Sequence, residues 1–195
     1  MSITHTGGGA RLGPITHLGI NGYVAPTPKF SFTDDFNRAN SSTTLGSNWT
    51  AISGQIGVNT NEARLNTAGA VVRVADSVHV FTDDQYAQFK STGLNANTHL
   101  LFVRGNTNSG FRVQYSDTVT LRVQYPSFAN TGITVVVGDT VKITAVGTEG
   151  KIYVNGSNVW TGTIGLVTGN PGFGFGWNSG SATATRVDDF ACGEL

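Results

Sequence analysis

Apolar and polar side chains alternate along this chain over short runs, and no window of about twelve residues repeats its apolar positions with a helical period. Phe30, Phe32 and Phe36 are spaced as the buried face of a first strand. Residues 71–74 and 86–89 are further strands. Residues 99–104, 111–115 and 118–125 are predicted as three successive strands of a meander. Its turns fall from Gly105-Asn106 to Ser109-Gly110 and at Ser116-Asp117. A strand over 135–137, a turn at Gly138-Asp139 and a strand over 140–146 follow. Lys151-Ile152-Tyr153-Val154 then runs into Asn155-Gly156, the strongest short hairpin signal, and returns through Asn158-Val159-Trp160. Over residues 172–177 glycine alternates with Phe173, Phe175 and Trp177. That places rings on one face and bare backbone on the other, against which something must pack closely. Residues 186–191 form the last strand.

About a dozen short strands at roughly 8–12-residue spacing predict an all-β fold, a β-sandwich or jelly roll. Its first and last strands carry matching sequences, Thr33-Asp34-Asp35-Phe36 and Val187-Asp188-Asp189-Phe190. They are predicted to lie side by side in one sheet.

Residues 1–29 differ from the rest. Thr6-Gly7-Gly8-Gly9-Ala10-Arg11-Leu12-Gly13-Pro14 has no strand or helix period, and Pro26-Thr27-Pro28 closes the segment as a stiff spacer. The expected organisation is an extended Gly/Pro-rich arm over 1–29 and a sandwich over 30–195. Residues 1–23 carry no basic head followed by an apolar stretch, so no secretory signal is expected.

Composition narrows the function. The 195 residues suit one domain, and 12% are charged against about 25% in an average soluble protein. Twelve basic residues balance twelve acidic ones, so neither nucleic acid nor an anionic membrane is an expected partner. The single cysteine, Cys192, excludes an internal disulfide and a cysteine-based metal cluster, and reads as a small buried apolar side chain.

Asp34-Asp35-Phe36-Asn37-Arg38-Ala39-Asn40, followed by Leu45-Gly46-Ser47-Asn48-Trp49-Thr50, resembles the opening of concanavalin A-like, laminin-G-type jelly-roll domains. Gly138-Asp139-Thr140-Val141, the Tyr153-Val154-Asn155-Gly156 hairpin and the Gly-Phe-Gly-Phe-Gly run before the Asp-Asp-Phe strand fit the same pattern. The resemblance covers residues 30–195. It implies a concanavalin A-like β-sandwich of the kind found in bacteriophage tail and capsid-surface proteins and in secreted carbohydrate-active proteins.

Glycan-hydrolysing members of that fold carry two or three carboxylates at alternate positions of one strand, and hydrolysis needs an acid and a base or nucleophile. Here Glu62, Glu149 and Glu194 stand apart, and the adjacent pairs Asp83-Asp84 and Asp188-Asp189 point to opposite faces of a strand. No G-x-S-x-G elbow accompanies the four histidines, and Gly7-Gly8-Gly9 lacks the Lys-Ser/Thr of a phosphate loop. No enzymatic activity is expected, and a degenerate glycan hydrolase is the weakest reading.

No cofactor is required by this reading. The resemblance raises calcium, which takes 6–8 oxygen ligands. Asp34, Asp35, Asp188 and Asp189 would converge if the terminal strands pair, with Asp35 and Asp188 the first candidates. The alternative is that one Asp of each pair caps a turn and the other is solvated. Glycan binding would use exposed rings near turns; Trp160, Tyr115 and Tyr125 are the candidates, while Trp49 and Trp177 are expected in the core. Binding would gather on the polar loops 95–97, 106–109 and 178–181.

The leading expectation is a non-enzymatic accessory structural protein of a bacteriophage virion, a minor tail or capsid decoration protein assembled in the host cytoplasm. Residues 1–29 would anchor it to other virion proteins through Arg11, Ile15, His17, Leu18, Ile20 and Tyr23. The sandwich would face outward, and a homo-oligomer such as a trimer would match symmetric sites on a particle. The alternative is a carbohydrate-binding, lectin-like module that recognises a host-surface glycan.

Overall fold

The computed structural model describes residues 29–195 except 68, 96–97, 107–108, 126–127, 166 and 177–183, and the side chains of Asn106, Ser109 and Tyr125. Among the described residues every regular element of more than one residue is a strand. One sheet holds β1 (Ser31–Asp34), β3 (Ile56–Asn59), β4 (Glu62–Leu65), β6 (Gln85–Gly93), β11 (Thr140–Val146), β12 (Glu149–Val154), β13 (Ser157–Thr163) and β15 (Arg186–Glu194). The other holds β2 (Trp49–Ser53), β5 (Val71–Val74), β7 (His99–Asn106), β8 (Ser109–Tyr115), β9 (Arg122–Tyr125), β10 (Ala129–Asn130) and β14 (Asn170–Phe175). Their orders are β13-β12-β11-β6-β15-β4-β3, with β1 also on β15, and β10-β9-β8-β7-β14-β5-β2.

The two Asp-Asp-Phe strands pair antiparallel, Ser31 opposite Gly193 through Asp34 opposite Phe190. One edge of β15 is used twice: Arg186 and Val187 bond β4, and residues 190–193 then bond β1. Between them Asp189 takes a positive φ of 51° and the register against β6 shifts, a bulge that turns the edge from one partner to the other.

The inward faces interdigitate around aromatic rings. Trp49 meets Phe190 and Phe173 edge to face at 4.9 and 5.1 Å between centroids, and Phe89 and Phe36 reach the same Phe173 ring. Each such pair adds about 0.5–1.5 kcal/mol to its area burial. Cys192 is buried and free, and desolvation pushes its thiol pKa up. Trp177, the other tryptophan expected in the core, lies outside the described residues, as do all six expected anchoring residues.

Strand alternation places most elements where the pattern predicts them. The β7-β8-β9 meander forms, and Asn155 and Gly156 both take positive φ, 50° and 80°, in the hairpin between β12 and β13. Two expectations are corrected. Residues 135–137 are no strand: Val135 is buried, but Val136 and Val137 face solvent in a turn closed by Val136 N donating to Asp139 Oδ2 at 2.8 Å. The strand expected over 118–125 starts only at Arg122, because Ser116 and Thr118 hydrogen-bond to each other in a turn.

Candidate functional site

The seven-stranded sheet carries an unusual set of side chains on its outer face. Along β7, Leu101 and Val103 enter the core, so Leu100 and Phe102 lie on the opposite face of the sheet, where both are nonetheless buried. Along β8 the core takes Phe111, Val113 and Tyr115, leaving a half-buried Arg112 and a buried Gln114 on the opposite face; β9 buries Val123 and turns out Arg122, half-buried, and Gln124, exposed. On β14 the rings of Phe173 and Phe175 go in and the glycines face out. The close neighbour expected there is Phe102, because a Cβ on Gly172 would lie 2.6 Å from its ring and 2.2 Å from the Val72 carbonyl oxygen.

These strands frame a groove of about 220 Å³ between Thr98, Leu100 and Gly176 on one side and Arg112, Gln114, Arg122 and Gln124 on the other. With its amide oxygen turned to Arg122, Gln114 accepts from Arg122 Nε at 2.7 Å and donates to Gln124 Oε1 at 3.1 Å. The Arg122 guanidinium also sits 5.1 Å over the Phe128 ring, which stands 64% exposed beside the groove. Arg112 has no such partner: its Nε is buried without a hydrogen bond. Burial holds its pKa below the usual arginine value. No carboxylate lines the groove.

The local sequence explains the arrangement. Arg112-Val113-Gln114-Tyr115 and Arg122-Val123-Gln124-Tyr125 are the same tetrapeptide, placed on adjacent antiparallel strands. Such a repeat sets Arg against Gln at both ends, and Gln114 does lie opposite Arg122. A bulge then puts Arg112 opposite Tyr125 instead of Gln124, so the second Arg–Gln pair is not made. The repeat was the signal in the sequence for these four residues; for Phe128 only its place after Pro126-Ser127 hinted at a turn.

Two other clefts each hold one internal ion pair. On the outer face of the eight-stranded sheet, a cleft of about 590 Å³ has Lys151 paired with Glu149 at 2.6 Å, and its Lys142 lies 4.8 Å over the ring of Tyr86 beside it. Along β1 and β15, a cleft of about 550 Å³ includes Asp34, Asp35, Arg38, Asn48 and Asp189. There Asp34 accepts from Phe36 N, both Arg38 Nη atoms and Trp49 Nε1 at 2.7–2.8 Å, which occupies its carboxylate.

Asp35 and Asp188, the first calcium candidates, are placed on this same side. Asp35 is exposed and accepts from Asn37 N at 3.0 Å and Asn37 Nδ2 at 2.9 Å, which lowers its pKa. Asp188 accepts from Asp189 N at 2.8 Å; burial raises its pKa, and so do the charges of Asp189, Glu62 and Asp35. Among the described residues, no three His, Cys, Asp or Glu side chains are grouped to hold a metal ion.

The ring candidates divide. Tyr115 is corrected: alternation on β8 turns it inward, where it is fully buried, stacked on His99 at 5.1 Å and hydrogen-bonded to Ser91 at 2.6 Å, so no sugar can reach it. Trp160 is half-buried, with one face of its indole against Phe111 at 5.7 Å and its edge over Gly162. Tyr125 is in β9, but its side chain lies outside the described residues, as do most of the loops 95–97, 106–109 and 178–181.

No protein-family model matches the sequence, and no curated protein matches it. Solved structures do match by shape. The carbohydrate-binding module CBM66 from Bacillus subtilis superposes with a TM-score of 0.55 at 16% identity, over 76% of this chain and 92% of that one. A prokaryotic β-1,3-1,4-glucanase (lichenase) from a mouse hindgut metagenome gives 0.55 at 10% identity, over 84% and 98%. A legume lectin-like domain from Entamoeba histolytica gives 0.50 at 15%, over 76% and 90%. At such identities the likeness is one of architecture, and residues 29–195 have the concanavalin A-like, lectin-type β-sandwich fold.

Proposed function

We propose that this domain is a non-catalytic carbohydrate-binding module whose glycan lies across the outer face of β7, β8 and β9. The observation that carries the reading is an exposed ring, Phe128, standing beside a groove lined by the guanidinium groups of Arg112 and Arg122 and the exposed amide of Gln124. A pyranose ring presents an apolar face that stacks on an aromatic and an edge of hydroxyls that both donate and accept. Gln124, exposed on β9, offers both functions, and the arginines offer forked donors. The groove lining supplies hydrogen bonds and lacks the paired carboxylates that glycoside hydrolysis uses. The fold shared with a carbohydrate-binding module and a lectin-like domain adds support. The virion setting expected from the sequence rests on the arm, of which residues 1–28 lie outside the described structure; binding at this face does not depend on it.

A glycan array with the full chain, followed by titration of the best ligand, tests the reading. Phe128→Ala and Gln124→Ala should each weaken binding by about tenfold or more. Absence of any bound glycan, or variants that bind like the parent, would overturn it.

A further inference from the structure

Arg112 is the residue in this groove whose Nε nothing among the described residues answers. Arg38, Arg73, Arg104 and Arg186 each hold a carboxylate, of Asp34, Asp76, Asp84 and Glu62 respectively. This is a chain of zero formal net charge, with as many acids as bases available for pairing. Arg122 is held by Gln114 and by the Phe128 ring. The bulge between β8 and β9 denies Arg112 the matching amide, and among the described residues its buried Nε meets no hydrogen-bond partner. A half-buried guanidinium with its Nε out of water and no acceptor is costly unless something else supplies one.

We infer that the groove is built for an acidic sugar, and that Arg112 takes the carboxylate of a uronate or sialate unit whose ring rests beside Phe128. The planar fork of a guanidinium matches the planar, two-oxygen face of a carboxylate and binds it through two parallel hydrogen bonds. Arg122, its own amide partner in place, adds positive potential from across the strand pair without competing for the acid. This assignment rests on the carbohydrate-binding reading above and specifies its ligand.

The test is calorimetric titration of the full chain with uronate oligosaccharides from pectin and alginate, with oligosialate, with the methyl esters of each, and with dextran and dextran sulfate. At least one acidic oligosaccharide should bind about tenfold or more tightly than its own ester, a comparison that needs no variant. Arg112→Gln should lose that preference, binding the acid no more tightly than its ester. Arg112→Lys should restore it only in part, and Arg73→Gln, outside the groove, should leave it intact. Esters bound as tightly as acids, dextran sulfate bound as tightly as the best carboxylate, or an unchanged Arg112→Gln would overturn the assignment. Binding of neutral glycans without a gain for acids removes this inference and leaves the carbohydrate reading standing; no binding by any glycan removes both.

Discussion

Trp49 Nε1 donates a 2.7 Å hydrogen bond to Asp34 Oδ2, and this contact joins the two sheets at the start of the sandwich. Asp34 sits at the end of β1 and Trp49 opens β2 in the opposite sheet. The same carboxylate receives Phe36 N, which holds Phe36 at a positive φ of 52° and drops its ring into the core, and it receives Arg38 through both Nη atoms. Asp34→Ala would strand the Trp49 and Phe36 donors in buried positions. The expected cost is about 2–4 kcal/mol of stability, read by urea unfolding followed by circular dichroism. Asp34→Asn, which keeps an acceptor and loses the charge, should lose clearly less.

Acid should destabilise the domain in two stages. His99 is fully buried against Tyr115, and desolvation lowers its pKa from 6.5 to about 4. The unfolded chain therefore takes up a proton near pH 6.5 that the folded chain refuses until near pH 4. Stability falls across that window as pH is lowered, by about 3 kcal/mol in total, and the loss then levels off. Glu194 behaves as a held carboxylate: hydrogen bonds from His79, then Thr82, bring its pKa from 4.5 to about 2. Its contribution is complete above pH 4.5 and is lost as pH falls toward 2. In His99→Phe the decline between pH 6.5 and 4 should shrink sharply while the lower stage persists, as measured by denaturant midpoints over a pH series.

Glycine is required at Gly172 by close packing. A methyl group there meets the Val72 carbonyl and the Phe102 ring, so Gly172→Ala should cost about 2 kcal/mol or more. Gly165→Ala, where a Cβ meets nothing within 4 Å, should stay within about 0.5 kcal/mol of the parent. Thermal unfolding of the two variants side by side decides this.

Two aromatic substitutions should separate stability from binding. Tyr115→Phe leaves the buried Ser91 hydroxyl without its partner, at a cost of about 1–2 kcal/mol, and should not alter glycan affinity. Phe128→Ala should leave stability within about 0.5 kcal/mol and weaken glycan affinity. Unfolding midpoints and glycan titrations on both proteins check the two halves.

Pattern in the sequence was enough to determine the all-β class, the meander, the Asn155-Gly156 hairpin and the pairing of the two Asp-Asp-Phe strands. The class, the meander and the hairpin follow from a period of two and from turn chemistry, both of which are local; the terminal pairing was read from the matching sequences of the two strands. The burial of Tyr115 was equally written in the alternation of β8, since Phe111, Val113 and Tyr115 share one face, although its place beside a turn suggested exposure. The isolation of Arg112 was not legible. It depends on a one-residue bulge in the pairing of β8 with β9, and register is a property of two strands together. Likewise the aspartates of the two matching strands came to lie on one side of the molecule as the sequence implied, yet Arg38 and Trp49 decided what Asp34 does there. Local pattern determines which face of a strand each residue takes; only the packed sheets decide which of those groups find partners.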